Sequence, residues 1–277
     1  MSRPSGIPFC KYLQIGKAMK ALTAVEEQLA RQAIGLLDLF ALNTDNTEQR
    51  IVGICQRAWT PVGPVAAVCV QPRFVCLART TLDRMLARDV KVVASVNFPN
   101  GSGSMASVVS EVRASLMSGA DEIDVVYPFR ALQGGNRQAG IELLAACASL
   151  CGKRYTLTAT LETGDLRDSQ MILDACRDAI DAGADFIKTG TGKATAHVTP
   201  QAARIMLGAI ADVGGQAGLK VAGGIRTFDE ARSYMTLAID RFGPQWVNAG
   251  RLRLGGSSLL DDLLARLGLI QLNSGGF

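Results

Sequence analysis

The sequence is poor in several features on which common protein functions depend. It has one histidine, His197, so neither a histidine-based triad nor a metal site of several histidines can be built. The net charge is only +4, without a run of five or more like charges, and a nucleic-acid partner is not indicated. No apolar stretch reaches the roughly 18 residues that a membrane-spanning helix needs. The N-terminus also lacks the apolar core of a signal peptide.

The cysteines form no CxxC pair, and their number is odd. Scattered through apolar stretches, they are typical of reduced thiols packed in a core. We therefore expect a soluble protein of the cytosol. The seven are Cys10, Cys55, Cys69, Cys76, Cys147, Cys151 and Cys176.

From residue 36 onward, short apolar runs alternate with longer segments at helical spacing. Segments 104–118 and 166–182 are predicted helices with one apolar face, the second capped by Asp168 and followed by Gly183. Eight βα units in about 240 residues predict an α/β fold, a single (β/α)8 TIM barrel over 1–277, with an open doubly wound sheet as the alternative. Residues 1–25 are expected to form a helical extension and 268–277 a flexible tail. The predicted strands are 36–42, 64–70, 91–98, 122–127, 155–162, 186–190, 219–223 and 246–255.

An internal repeat indicates where chemistry could lie. SGADEIDVV (118–126) and AGADFIKTG (182–190) share Gly-Ala-Asp-x-Ile, and their superposition aligns Asp124 with Lys188 in strands 4 and 6. Alternate strands of a barrel contribute to one layer of inward side chains, so a carboxylate and an amine should share a layer. A structural salt bridge is the alternative interpretation.

Lys220, in LKVAGG of strand 7, favours the chemical interpretation. Neighbouring parallel strands lie about 4.8 Å apart, so two ammonium groups should meet near the barrel mouth. Like charge and desolvation both disfavour the protonated form, which would leave one lysine neutral and nucleophilic. Spacing does not decide which one.

Two glycine-rich segments predict an anion site at the same mouth. GGIRT (223–227) follows strand 7, and GGSS (255–258) follows strand 8 and opens a helix. The loops after strands 7 and 8 commonly hold phosphate in barrels, and Lys193 and Arg226 could add positive charge. TGTGKAT is not a P-loop, because Ile187 and Ala194 occupy two of the positions that the motif needs.

Several blocks, in order, together resemble the deoxyribose-phosphate aldolases, a family of class I, Schiff-base aldolases on (β/α)8 barrels. They are LDLFALN, AAVCVQPRF, NFPNG, DEIDVVYP, FRALQGGN, ADFIKTGTGK, LKVAGGIRT and LRLGGSS, between about residues 36 and 267. The resemblance implies that Lys188 forms an imine with 2-deoxyribose 5-phosphate, that Lys220 lowers its pKa, and that Asp124 moves protons through a water. Acetaldehyde and glyceraldehyde 3-phosphate would be released, without a metal or organic cofactor.

The resemblance also implies binding residues and an assembly. Outer helices of such barrels often pair, so a homodimer is expected. The residues expected around the sugar are Asp38, Leu42, Cys69 and Thr191. Those expected at the phosphate are Gly192, Lys193, Gly223, Gly224, Arg226, Gly255, Ser257 and Ser258.

The sequence departs from the family pattern at a few positions. Phe40 stands where Thr is common, Gly190 where Ser or Thr is frequent, and Val221 where Pro or Ala is frequent. No tyrosine follows Tyr234, and the sequence ends in Phe277, so we expect enamine protonation to be slow or carried out by water. The alternatives are a lysine-imine aldolase with other aldehyde substrates and a sugar-phosphate-binding barrel without catalysis. Retention of both lysines and the aspartate argues against the latter.

Overall fold

Eight short parallel strands close into a barrel in the computed structural model, which describes residues 22–166, 168–193 and 197–270. Each strand pairs with its neighbours in chain order, and the last pairs with the first, which confirms the (β/α)8 architecture. The barrel strands are β1 (Leu37–Ala41), β2 (Ala67–Val70), β3 (Lys91–Val96), β4 (Glu122–Val126), β5 (Thr156–Thr160), β6 (Phe186–Lys188), β7 (Gly218–Ala222) and β8 (Leu252–Gly255).

Helices follow the strands and cover the outside of the barrel. Outward residues such as Leu37, Leu39 and Ala41 belong to the main hydrophobic core between sheet and helices, whereas alternate residues point inward. The helices are α1 (Ala24–Gly35), α2 (Glu48–Arg57), α3 (Val75–Arg84), α4 (Met105–Met117), α5 (Phe129–Gln133), α6 (Gln138–Cys151), α7 (Thr163–Leu166), α8 (Ser169–Asp181), α9 (Pro200–Asp212), α10 (Phe228–Phe242) and α11 (Ser257–Arg266).

The predicted helix caps are present. The carboxylate of Asp168 accepts a hydrogen bond of 2.8 Å from the Met171 amide at the start of α8. Gly183 follows α8 with a φ of +100°, a left-handed conformation that glycine adopts without strain. The segment predicted as one helix from residue 166 is divided, because α7 ends at Leu166 before α8 begins.

Two strands are shorter than the sequence predicts. β6 ends at Lys188 instead of residue 190, so the lysine is the last residue before the loop. β8 begins at Leu252 instead of residue 246, because Pro244–Trp246 form a 3₁₀ turn. Trp246 stacks on Phe242 of α10 with ring centroids 4.5 Å apart, which holds this segment against the helix and away from the sheet.

The two terminal segments are only partly described. Residues 1–21 of the predicted extension and 271–277 of the predicted tail lie outside the described residues. Within the described ranges, no helix is long and apolar enough to cross a membrane. The six described cysteines are free thiols, and Cys10 is not among them.

Candidate active site

Asp124 and Lys188 meet inside the barrel. Along the sheet, Asp124 pairs with Thr158, and Thr158 pairs with Phe186, two residues before Lys188. This stagger belongs to a tilted barrel and brings residues of β4 and β6 into one layer. Lys188 Nζ lies 2.6 Å from Asp124 Oδ2, and both side chains are 2% exposed. The carboxylate and amine that the repeat aligns therefore form a buried ion pair.

The other oxygen of the same carboxylate is also occupied. The Thr160 hydroxyl donates a hydrogen bond of 2.5 Å to Asp124 Oδ1. Thr158 lies on the same face of β5 two residues earlier, but its buried hydroxyl has no hydrogen-bond partner in the described part of the chain. Thr160 thus fixes the orientation of Asp124 and leaves Oδ2 for the lysine.

Below this pair lies a closed ring of four charges, which we call the charge ring: Asp38, Glu122, Lys220 and Arg253. Lys220 Nζ lies 2.8 Å from Glu122 Oε2 and 3.3 Å from Asp38 Oδ2. The Arg253 guanidinium lies 2.9 Å from Asp38 Oδ1 and 3.0 Å from Glu122 Oε1. All four side chains are buried, and two cations balance two carboxylates.

Sequence reasoning missed Glu122 and Arg253, although a signal was present for each. Glu122 precedes Asp124 by two residues, so both face the interior of β4, and Arg253 interrupts the apolar strand β8. Their partners could not be inferred, because the ring joins β1, β4, β7 and β8 only once the barrel closes. Asp38, which is expected near the sugar, is a member of this ring.

The electrostatics of Lys188 differ from the prediction. Burial is the largest single influence and disfavours the ammonium, but the charge of Asp124, its hydrogen bond and a contribution from Cys69 together outweigh burial, so the pKa of Lys188 is raised. The charge of Lys220 acts in the predicted direction, lowering this pKa, but it is a smaller effect than the attraction of Asp124. The surroundings of Lys188 therefore favour its ammonium form while Asp124 is ionised, which is contrary to the expectation that crowding leaves one of the two lysines neutral.

Within the charge ring, opposite charges overcome burial. Burial opposes ionisation of Asp38, yet Lys220 and Arg253 together lower its pKa. Burial likewise opposes the ammonium of Lys220, but Asp38 and Glu122 raise its pKa above that of free lysine. The surroundings of Lys220 thus favour its charged form.

A small apolar cluster lies beside the amine, inside the barrel. Its buried members are Leu42, Ala67, Cys69 and Val93, with Phe40 and Phe98 packed against them. Burial raises the pKa of the Cys69 thiol well above its ordinary value, so it remains protonated. The Phe40 ring also covers Lys188, with Nζ 4.9 Å from the ring centroid. Leu42 and Cys69 therefore form part of an apolar wall next to the ion pair.

A cleft with about 750 Å³ of open space lies at the carboxyl ends of the strands. Of the predicted phosphate residues, Gly192, Gly223, Gly224, Arg226, Gly255 and Ser258 line it. Glu162 and His197 also line it, which the sequence did not indicate. Gly224 has a φ of +104°, and a Cβ there would come within 2.4 Å of His197 Nδ1. The glycine is thus required both by the backbone conformation and by the histidine beside it.

The remaining predicted residues have other contacts. Lys193 Nζ donates to Asn43 Oδ1 at 2.6 Å, across the mouth. The Ser257 hydroxyl accepts a hydrogen bond of 3.1 Å from the Phe40 amide, which joins α11 to β1.

Thr191 is held by the buried Glu162. Its amide and its hydroxyl donate to Glu162 Oε2 at 3.0 and 2.5 Å. Thr191 therefore anchors the loop after β6 rather than presenting its hydroxyl to the cleft. Within residues 22–166, 168–193 and 197–270, no three histidine, cysteine or acidic side chains are grouped as metal ligands would be.

Comparisons with known proteins agree with this geometry. The sequence model of the DeoC/LacD family aldolases matches residues 32–251. The chain therefore belongs to the DeoC/LacD family of aldolases, which are lyases. The resemblance to deoxyribose-phosphate aldolases that the sequence motifs indicate is confirmed by this match.

Solved structures extend the comparison. A Toxoplasma gondii ME49 protein, provisionally assigned as a deoxyribose-phosphate aldolase, is 25% identical with a TM-score of 0.80 over 88% of this chain and 98% of that one. QR15, described as an aldolase, is 27% identical with a TM-score of 0.71 over 86% of this chain and 99% of that one. The Aeropyrum pernix deoxyribose phosphate aldolase, described as tetrameric, is 20% identical with a TM-score of 0.71 over 90% of this chain and 100% of that one. At that identity the last likeness concerns the fold alone.

Proposed function

We propose that this aldolase reversibly cleaves 2-deoxy-D-ribose 5-phosphate to acetaldehyde and D-glyceraldehyde 3-phosphate through a Schiff base on Lys188. The observation that carries the proposal is the buried pair of Lys188 and Asp124, 2.6 Å apart, beneath a glycine-lined cleft. An amine that shares a hydrogen bond with a carboxylate has a proton acceptor in place. Transfer of the proton along this bond gives a neutral amine and a carboxylic acid without changing the net charge of the site.

The proposed reaction starts from this neutral pair. The Lys188 nitrogen attacks the aldehyde carbon, C1, and Asp124 returns its proton to the departing oxygen, so that one water leaves and an iminium forms. Loss of the C3 hydroxyl proton to the Asp124 carboxylate, through a water, breaks the C2–C3 bond. The electron pair of that bond moves into the iminium, which becomes an enamine, and glyceraldehyde 3-phosphate departs. The proton taken from the C3 hydroxyl then passes from Asp124, through the water, to C2 of the enamine, and hydrolysis of the resulting iminium with one water releases acetaldehyde, restores the amine and returns a proton to Asp124.

The charge ring supports this chemistry from below. The carboxylates of Asp38 and Glu122 stabilise the ammonium form of Lys220. Lys220 lies on β7, the strand next to that of Lys188. A fixed positive charge there disfavours the ammonium and iminium forms and favours the neutral amine and enamine. We propose this electrostatic role for Lys220.

The phosphate would bind at the start of α11 and at the loop after β7. Gly256, the N-cap of α11, offers no side-chain cap, so the helix N-terminus remains available to an anion. Arg226 and Ser258 line the same cleft and supply a cation and a hydroxyl.

Reductive trapping tests the imine. Acetaldehyde and borohydride should add 28 mass units, an ethyl group, to about one site per chain, and peptide mass analysis should place it on Lys188. Lys188→Met should abolish the adduct, whereas Lys153→Met, at an exposed lysine, should retain it. Absence of an adduct on Lys188 would refute the Schiff-base mechanism and favour a binding barrel.

A substrate comparison tests the phosphate site. Arg226→Ala should lower kcat/KM at least about tenfold for 2-deoxyribose 5-phosphate, since a charge-assisted contact is lost, and leave unphosphorylated 2-deoxyribose unaffected. Arg204→Ala, at an exposed arginine of α9, is the matched control. Equal losses on both substrates would contradict the role of Arg226.

The predicted assembly and location are proposals of the same kind. We propose a homodimer, which light scattering on the purified protein would distinguish from a monomer or a tetramer. The cytosolic location inferred from the cysteines stays a prediction.

A further inference from the structure

Phe40 contacts each of the three parts of the site. Its ring lies over Lys188 Nζ at 4.9 Å, packs against the apolar cluster that includes Cys69, and lines the cleft at the mouth. Asp38 and Phe40 both point inward from β1, so the ring stands above the charge ring. One aromatic side chain thus lies at the boundary between the amine and the cleft.

The surrounding backbone is shaped to hold this ring. A Cβ at Gly255 would lie 2.6 Å from two atoms of the Phe40 ring and 2.8 Å from Ala222 Cβ, so only glycine leaves room there. The Phe40 amide is fixed by its hydrogen bond to Ser257. The ring is therefore packed closely against Gly255 and carried on a backbone position that Ser257 holds in place.

The ring divides the site into two compartments. On one side, the amine, Asp124 and the apolar cluster form the buried part of the site, which we call the chamber, and Lys188 is 2% exposed there. On the other side, the glycine loops and Arg226 form the open cleft. A two-carbon aldehyde bound to Lys188 is too short to extend into the phosphate-binding part of the cleft. A five-carbon sugar phosphate must pass from one compartment to the other, through the space that the ring occupies.

We propose that Phe40 is a specificity-determining residue: the sugar phosphate remains a substrate, but the ring lowers the efficiency of substrates that reach from Lys188 to the phosphate cleft relative to that of short aldehydes. This rests on the proposed function and deepens it. A bound short aldehyde lets the ring return over the chamber, so its binding carries no net cost of ring displacement. A bound sugar phosphate holds the ring away, so the contact between ring and ammonium is lost. That contact alone corresponds to about 2- to 30-fold in an equilibrium constant.

The test compares two substrates in matched variants. Phe40→Val should raise kcat/KM for 2-deoxyribose 5-phosphate by about 2- to 30-fold. The acetaldehyde concentration that gives half-maximal imine trapping should change less than about twofold. Phe98→Val removes the other aromatic ring on the same cluster. It should not alter the efficiency with 2-deoxyribose 5-phosphate relative to that of acetaldehyde trapping.

A second variant separates bulk from ring chemistry. Phe40→Leu keeps an apolar side chain of similar bulk but removes the aromatic face, so it should give a smaller gain than Phe40→Val. Thermal unfolding and circular dichroism of each variant identify a loss of folding.

The outcomes distinguish this inference from the proposed function. Absence of a trapped adduct in the unaltered protein refutes the Schiff-base function and this inference with it. If the unaltered protein is trapped but Phe40→Val does not raise the efficiency with 2-deoxyribose 5-phosphate relative to that with acetaldehyde, or lowers it, the inference alone is overturned. An equal change in Phe98→Val overturns it too, since the effect would then come from loosening the cluster.

Discussion

The charge ring makes a quantitative prediction about stability. Lys220 neutralises Glu122 at 2.8 Å and Asp38 at 3.3 Å, in a ring whose four members are all buried. Lys220→Met keeps most of the side-chain volume but leaves two buried carboxylates with one cation, Arg253. Removing one partner of a buried ion pair typically costs about 3–5 kcal/mol of the free energy of unfolding. In a chain of this size, that lowers the midpoint of thermal unfolding by roughly 10 °C.

A double variant supplies the decisive comparison. Lys220→Met with Glu122→Gln leaves Asp38 and Arg253 as a neutral pair at 2.9 Å. It should be more stable than Lys220→Met alone by at least about 1 kcal/mol, although it carries one more substitution. Urea denaturation at pH 7, with circular dichroism as the signal, measures all the variants of the cycle.

The pH dependence of the free energy of unfolding of the same variants tests whether the loss of stability comes from an unpaired carboxylate. In the unaltered protein the pKa of Asp38 is lowered, so its contribution to stability is present above its unfolded pKa and is lost as pH falls below about 4. In Lys220→Met an unpaired buried carboxylate has a raised pKa and takes up a proton as pH falls, which restores the balance. The stability deficit of Lys220→Met should therefore shrink between pH 7 and pH 5. A constant deficit, or a double variant no more stable than the single one, would refute the reasoning from charge balance.

Two further predictions concern the ion pair above the ring. Thr160→Val removes a hydrogen bond to the Asp124 carboxylate and should lower the free energy of unfolding by about 1.5–3 kcal/mol. Thr158→Val removes a hydroxyl without a partner from the same strand face and should lower it by less than about 0.5 kcal/mol. Equal losses of the two variants in urea denaturation would contradict this. Asp124→Asn removes the attraction that raises the pKa of Lys188, so the midpoint of the rise in cyanoborohydride trapping with pH should fall by about one pH unit or more, even if the maximal rate drops. An unchanged midpoint would show that Asp124 does not control this amine.

The barrel could be predicted from the sequence because its signals are local and repeated. Each strand is a short apolar run with its own turn residues, and the repeat aligned Asp124 with Lys188 without knowledge of the closure. The positions of the glycines at the mouth follow from the same strand order, and six of the eight predicted phosphate residues line the cleft.

The features that the sequence did not indicate depend on long-range contacts or on side-chain direction. The pKa of Lys188 follows from its distance to Asp124, which competes with burial and with Lys220, and no spacing rule gives the balance. Ser257 and Ser258 are adjacent in sequence, but only Ser258 lines the cleft, because the hydroxyl of Ser257 binds the backbone of β1. Lys193 binds Asn43, from a loop 150 residues away in sequence. The tertiary contacts of each side chain determine its hydrogen-bond partner, and sequence spacing does not reveal them.

The closed charge ring limits which substitutions this barrel can accept during evolution. Asp38, Glu122, Lys220 and Arg253 come from four strands, yet each neutralises two of the others. A single substitution at any of these positions leaves an unpaired charge buried in the barrel. Simultaneous replacement of one acidic and one basic residue keeps the remaining charges balanced. Among relatives, these four positions should therefore be inherited together or replaced in opposite-sign pairs, and an attempt to redesign the lysine chamber must treat them as a single unit.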